Sequence, residues 1–189
     1  MSDQPTRCAW AKKPLDILYH DREWGVPLKD EHQLFEFLIL EGVQAGLSWS
    51  TVLQRREAYR EAYDHFDPKV VATYSQQKID ALLSDPALIR NKLKILASIK
   101  NARAYIKTQQ SCGSFSQYLW SFVDHAPIIN FWQTADQIPS QTALSQALSK
   151  DLKKRGFSFV GPTICYALMQ ATGLVNDHLT TCFRHSELS

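Results

Sequence analysis

From Ile89 to Ile106 the apolar residues Ile89, Leu93, Leu96, Ile99, Ala102 and Ile106 recur every three or four positions. An α-helix gathers such residues on one face, so this stretch reads as a long amphipathic helix carrying Arg90, Lys92, Lys94, Lys100, Arg103 and Lys107. The same period runs through the rest of the chain. Asp30 suits an N-cap with Gln33 at the capping-box position, and Leu34, Phe35, Leu38 and Ile39 follow as a stripe. Ser48 can cap a second helix that turns Trp49, Val52, Leu53, Tyr59 and Tyr63 inward. Asp67-Pro68 is a cap followed by proline at the first helical position, and Ile79, Leu82 and Leu83 mark a further helix. Phe115 to Val123 is read as helix by context, and residues 142–155 and 162–173 as two more. No series of alternating apolar and polar residues argues for a sheet. The expected fold class is all-α, with residues 1–189 in a single domain.

No stretch approaches the ~18 apolar residues of a membrane span. The start, MSDQPTRCAWAKKP, lacks the apolar run of a signal peptide, so a cytoplasmic protein is expected. Charge is unevenly spread. Residues 1–67 hold 8 Lys/Arg against 12 Asp/Glu, whereas residues 68–189 hold 13 against 7. Between Arg90 and Val123 there is no acid at all. A polyanion footprint is one reading of this stretch, and a solvated helix face is the other.

The helices at 142–155 and 162–173 form a helical hairpin over about 142–174, joined by Arg155-Gly156-Phe157-Ser158-Phe159-Val160-Gly161-Pro162. Gly161-Pro162 fits a turn entering a helix. Free N–H groups at that helix start can hold a phosphate, with Lys153, Lys154 and Arg155 adding charge. An ordinary helical hairpin with a basic rim reads the same way.

Cys8, Cys112, Cys165 and Cys182 are too scattered for a disulfide framework in a cytosolic chain. Cys8 and His20 stand near the start, and His178-x-x-x-Cys182 near the end. A His and a Cys four residues apart share a face of a helical turn. Two Cys and two His make a common tetrahedral zinc set, one with no open coordination position and hence a structural role. Such an ion would pin the two ends of the chain together. The Cys8–His20 spacing is not diagnostic, so unrelated core or surface residues remain the alternative, with His185 a rival ligand. His32, His65 and His125 read as surface or packing residues.

Glu41 follows four apolar residues and precedes Gly42, where the helical pattern weakens. A carboxylate on an apolar face costs several kcal/mol unless it is paired or faces a cleft. Tyr19, Trp10, Trp24 and Trp49 supply aromatic faces nearby in sequence. One carboxylate among aromatic walls suits a flat cationic base; a packed aromatic core is the competing reading.

At these residues the chain resembles the bacterial 3-methyladenine DNA glycosylase I family. The strings that carry the resemblance are Cys8-Ala9-Trp10, Tyr19-His20-Asp21-x-Glu23-Trp24-Gly25-Val26-Pro27, and Leu40-Glu41-Gly42-x-Gln44-Ala45-Gly46-Leu47-Ser48-Trp49. Further on stand Ile89-Arg90-Asn91-x-x-Lys94-Ile95, Asn101-Ala102, Lys154-Arg155-Gly156-Phe157-x-Phe159-Val160-Gly161-x-Thr163 and Gly173-Leu174-Val175-Asn176-Asp177-His178. The resemblance implies the helix-hairpin-helix DNA glycosylase fold, two helical lobes around a base-binding cleft. It implies one structural Zn2+ per chain on Cys8, His20, His178 and Cys182. It makes Glu41 the pocket acid and Tyr19 and Trp49 the rings that sandwich the base, with Trp10 and Trp24 lining the same pocket. DNA contacts are expected from Gly46, Leu47, Gly161, Lys154 and Arg155, with Leu47 filling the gap left by a flipped nucleotide. Asp177 is expected to orient His178. The implied activity is hydrolysis of the N-glycosidic bond of 3-methyladenine in alkylated duplex DNA without strand cleavage and with little action on 7-methylguanine. No obligate protein partner is implied, and a monomer is expected. A non-catalytic zinc-containing DNA-binding module would need the hairpin and the metal but not the pocket acid, and a zinc-stabilised interaction protein would need neither DNA nor pocket.

Overall fold

The structure is a computed structural model that describes residues 5–189. Its order is α1 (Pro14–Arg22), α2 (Glu31–Gln44), α3 (Trp49–Ala62), α4 (Pro68–Val71), α5 (Gln76–Ser84), α6 (Lys92–Cys112), α7 (Phe115–Trp120), β1 (Ile128–Ile129), α8 (Ala143–Lys154), α9 (Pro162–Ala171), β2 (Val175–Asn176) and α10 (Phe183–Glu187). Among the described residues, no helix is long and apolar enough to cross a membrane.

The caps read from sequence are made. Asp30 accepts from Gln33 N, Ser48 from Thr51 N and Asp67 from Lys69 N. Every residue from Leu34 to Val43 is buried, and α2 packs against α3, α6, α7 and α9. A helix that is apolar on all sides belongs in the middle of the fold, where each fully buried Leu or Phe stabilises by about 1.5–3 kcal/mol. Two buried acids sit on this helix. Glu36 is matched by Arg56 and Arg60, whose guanidiniums donate to its Oε1. Glu41 has no such partner.

The long helix departs from its expected phase. It begins at Lys92, capped by Asn91, so Ile89 and Arg90 precede it. Leu93 is 68 % exposed and Leu96 40 %, while Ile95, Ile99, Ala102 and Tyr105 face the core. Apolar residues occur on two faces of this helix, so a period of three and four fits either rotation. Lys94 is not solvated either. Its Nζ donates to Val43 O and Ala45 O at 2.7 and 2.8 Å, placing a cation at the C-terminal end of α2. Burial pushes its pKa down.

Gly42 does not weaken α2, which runs on to Gln44. It lies against the hairpin link, where a Cβ would come within 3.4 Å of Phe159 Cβ. Two helices escaped the sequence reading. α1 buries Asp16, Tyr19 and His20 and leaves Leu15 and Leu18 exposed, the reverse of an apolar stripe. α10 is a five-residue turn of helix following Cys182. A short parallel ladder also forms, Ile128 beside Val175 and Ile129 beside Asn176. At the crossing of the two chain ends, Gly173 adopts φ +72°, and a Cβ there would lie 2.5 Å from the backbone of Val26 and Pro27. Only glycine fits both demands.

Candidate functional site

A cavity of about 240 Å³ opens between α1, α2, α3 and α9. Its aromatic walls are Trp10, Tyr19, Trp24 and Trp49; its polar lining is Glu41, Gln44 and Gln170. α2 delivers Glu41 from inside the core. Its Oε2 is buried and has no hydrogen-bond partner among the described residues. Burial alone pushes the carboxyl pKa up to about 8. Trp49 Nε1 is likewise buried and unpartnered. One orphaned acceptor and one orphaned donor therefore line the same apolar cavity. Burial, with Glu41 nearby, also raises the Tyr19 phenol well above its ordinary value.

The expected sandwich of Tyr19 and Trp49 does not match the geometry. Their ring centroids are 5.4 Å apart and tilted by 45°. A flat base between parallel rings needs about 7 Å, two stacking distances. The two rings touch one another and form a corner of the cavity.

Behind Trp10 and Trp24 lies the second cluster. Cys8, His20, His178 and Cys182 are all buried, and their ligating atoms lie within 4.8 Å of one another. Cys182 Sγ is 3.4 Å from His20 Nε2 and 3.5 Å from His178 Nδ1, and Cys8 Sγ is 3.7 Å from His178 Nδ1. Each imidazole has its other nitrogen committed. His178 Nε2 faces Trp24 O, which can only accept, so that nitrogen carries the hydrogen and Nδ1 keeps its lone pair. His20 Nδ1 faces Asp21 Oδ1 at 2.8 Å, and Asp21 is held in turn by Arg7. Such outer partners orient histidines toward a metal ion. His185 is excluded from the set, since its Nε2 lies against Asn130 O. The backbone closes the same junction, Phe183 N donating to Thr6 O. The two clusters share a wall. Trp24 lies 4.5 Å from the His178 ring, and Trp10 lies 5.3 Å from the His20 ring.

Asp177 does not orient His178, contrary to expectation. Its Oδ1 accepts from Asn130 Nδ2 and Trp132 Nε1, and its Oδ2 from Tyr166 OH and Gln170 Nε2. Those four donors fill the acceptor capacity of the carboxylate. The signal that sequence reasoning missed was Gln170 itself, a polar residue on the inner side of an otherwise apolar α9.

The remaining singled-out residues lie on two exposed edges. Gly46 takes φ +80°, with nothing near a would-be Cβ, and turns the chain so that Leu47 is 38 % exposed. Lys94 fixes this turn from below through Ala45 O. In the hairpin link, Asn101 grips Ser158 at both backbone N and O, and Ser149 donates to Val160 O. Gly161 caps α9 without any side-chain bond, leaving the first turn open. Lys153 and Lys154 are exposed. Arg155 is tied to Asp151 at 2.6 Å and lies over the Tyr118 ring, so it is less available than its neighbour Lys154. α9 joins the two regions, its start at the hairpin and its Ala167 and Gln170 in the cavity wall.

The sequence family described as methyladenine glycosylase matches residues 9–185. The chain is 52 % identical over 177 residues to the DNA-3-methyladenine glycosylase 1 of Escherichia coli (strain K12), covering 93 % of this chain and 95 % of that protein. It is 51 % identical over 178 residues to the DNA-3-methyladenine glycosylase of Haemophilus influenzae, covering 94 % and 96 %. Its fold matches a crystal structure of 3-methyladenine DNA glycosylase I with TM-score 0.92 at 52 % identity, covering 94 % of this chain and 98 % of that one. The 3-methyladenine DNA glycosylase I of Staphylococcus aureus, in a structure concerned with 3-methyladenine recognition, matches with TM-score 0.91 at 40 % identity, covering 94 % and 95 %.

Proposed function

The chain belongs to the methyladenine glycosylase family, and from that premise we propose that it excises 3-methyladenine from alkylated double-stranded DNA, leaving an abasic site. The observation that carries the proposal is the pair of buried, unpartnered polar atoms in an aromatic cavity, Glu41 Oε2 and Trp49 Nε1. Native proteins rarely leave such atoms orphaned unless a ligand completes them. A flipped purine would do so. Its exocyclic amine donates to Glu41, and its ring stacks on the aromatic walls.

3-Methyladenine in DNA is cationic, so its glycosidic bond is already weakened. The enzyme has no need to protonate the leaving base. Burial pushes the Glu41 carboxyl up to a pKa of about 8. A cation against it favours the ionised form, so binding couples to loss of the Glu41 proton. The resulting carboxylate stabilises positive charge shared between base and sugar while water takes the sugar carbon. The reaction proposed is hydrolysis, in which water and not an amine takes the sugar carbon, so no Schiff base forms and the strand stays intact. Outside the pocket, Leu47 on its glycine turn suits the gap left in the duplex. The open first turn of α9, with Gly161 and Lys154, suits a backbone phosphate, and Arg155 adds charge only to the extent that Asp151 releases it.

The four-residue cluster suits zinc. Zn–S near 2.3 Å and Zn–N near 2.1 Å put tetrahedral ligand atoms about 3.4–3.8 Å apart. Three of the six ligand pairs fall between 3.4 and 3.7 Å, and all four ligand atoms lie within 4.8 Å of one another, close enough for one ion to draw them together. Bound there, the ion supplies a cross-link between chain ends and no open coordination position.

The test is incubation with methylated duplex DNA followed by chromatography of the released bases. Free 3-methyladenine, strongly reduced by Glu41→Gln, is expected. No release from folded, metal-loaded protein would favour a binding module instead.

A further inference from the structure

A buried acid that gives up its proton only as a cation binds meets the base as a group that can donate as well as accept, so on encounter it does not tell an amine from a carbonyl. With burial holding it near pKa 8, Glu41 is in that position at neutral pH. The cavity has a second polar side chain without this ambiguity. Gln170 Nε2 donates to Asp177 Oδ2 at 2.8 Å. Asp177 can only accept, and its other three contacts are all donors, Asn130 Nδ2, Trp132 Nε1 and Tyr166 OH. The amide therefore cannot flip without setting its oxygen against a carboxylate. Its Oε1 has no hydrogen-bond partner among the described residues, and the side chain lines the cavity. Gln44 lines the same cavity, but its amide is tied to nothing among the described residues and can rotate to suit either kind of ligand.

We propose that Gln170 is a specificity-determining residue, a fixed acceptor that reads the 6-amino group of the base together with Glu41, and that Asp177 is the positioning residue that fixes its orientation. A 6-aminopurine has two amine hydrogens and satisfies both acceptors. A 6-oxopurine presents an oxygen to Gln170 Oε1 and leaves both buried and unpaired. Asp177 never touches the base. Its four donors make it a frame that transmits one orientation to the pocket.

The inference rests on the excision reading above, and one experiment separates the two. DNA methylated to contain both 3-methyladenine and 3-methylguanine is incubated with wild type, Gln170→Met and Asp177→Asn, and both released bases are quantified. Gln170→Met keeps the length and apolar stem while removing the acceptor. It is expected to lower 3-methyladenine release about tenfold, the worth of one buried hydrogen bond, and not to lower 3-methylguanine release, since the opposed oxygen is gone, so that the preference narrows by at least the same factor. Asp177→Asn is expected to narrow the preference in the same direction. Should that variant fail to fold, Gln170→Met decides alone. Equal loss of both bases, or an unchanged ratio, would overturn the role of Gln170 while leaving the excision reading intact. Wild type releasing neither base would overturn both.

Discussion

The buried Cys/His cluster and the aromatic cavity share a wall of two tryptophans, and they are built on opposite terms. In the cluster every polar atom has a partner. Each histidine has one nitrogen turned to the ligand set and the other anchored, His178 to Trp24 O and His20 to an Asp21 that Arg7 grips. Across Trp10 and Trp24, the cavity leaves Glu41 Oε2 and Trp49 Nε1 with nothing. The contrast recurs on a single helix, where Glu36 is paired by two arginines and Glu41 by none. Between these two sites full satisfaction goes with the groups that hold the fold and deficit with the groups that line the cavity, with Arg184 Nε, buried and unpartnered two residues after Cys182, the exception among the described residues.

The sharpest way to break this division is to remove the staple. Stripping the metal, or changing Cys182 to Ala, should lower the thermal midpoint by well over about 10 °C, because structural zinc binding carries much of the folding free energy of the ligands it joins. Metal-to-protein stoichiometry and calorimetry check it. A midpoint unmoved by loss of the ion would make the cluster incidental. Next come the two buried acids of α2. Glu41→Gln should cut 3-methyladenine release by about a hundredfold or more, the usual scale for losing a charge-stabilising group. Glu36→Gln should do the reverse, destabilising by about 1–3 kcal/mol because Arg56 keeps Glu23 but loses its buried carboxylate partner, while turnover by the protein that stays folded holds near wild type. If Glu36→Gln proved the more stable and Glu41→Gln the fully active variant, paired and unpaired would not separate structure from function. The smallest effect belongs to Lys94, which fixes the end of α2 beneath the Leu47 turn. Lys94→Met should reduce release from DNA a few-fold while leaving binding of free 3-methyladenine, followed by tryptophan fluorescence, unchanged. Equal loss of both would place Lys94 in the pocket and not under the Leu47 turn.

Much of this was legible in the chain. Caps at Asp30, Ser48 and Asp67 are local chemistry, and the structure makes all three. Cys8, His20, His178 and Cys182 were named together, although the Cys8–His20 spacing carried no diagnostic weight and only the fold brings the two ends into one cluster. What failed to show has physical reasons. The phase of α6 was hidden because Leu93 and Leu96 put a second apolar stripe on its outer face. α1 was missed because it buries Asp16, Tyr19 and His20 instead of leucines. Asp177 adjoins His178 in sequence, yet the turn after β2 sends its carboxylate the other way, toward Tyr166 and Gln170, and adjacency along a chain says nothing about such a choice. The Tyr19–Trp49 sandwich needed a ring separation that no sequence records.

The claim that Glu41 is held unpaired at the expense of stability has a direct test in the pH dependence of unfolding. Its folded-state pKa, about 8, stands above the ordinary value of 4.5, so the fold favours the neutral acid. The stability this confers is fully present below pH 4.5 and is lost as pH rises toward about 8. Glutamine cannot ionise. The thermal midpoint of Glu41→Gln should therefore run close to wild type near pH 4.5 and rise progressively above it, levelling near pH 8 with an advantage on the order of a few kcal/mol. A difference that stays flat from pH 5 to pH 9, or a glutamine variant less stable than wild type throughout, would mean that Glu41 is satisfied in the folded protein, and the division between staple and pocket would fall.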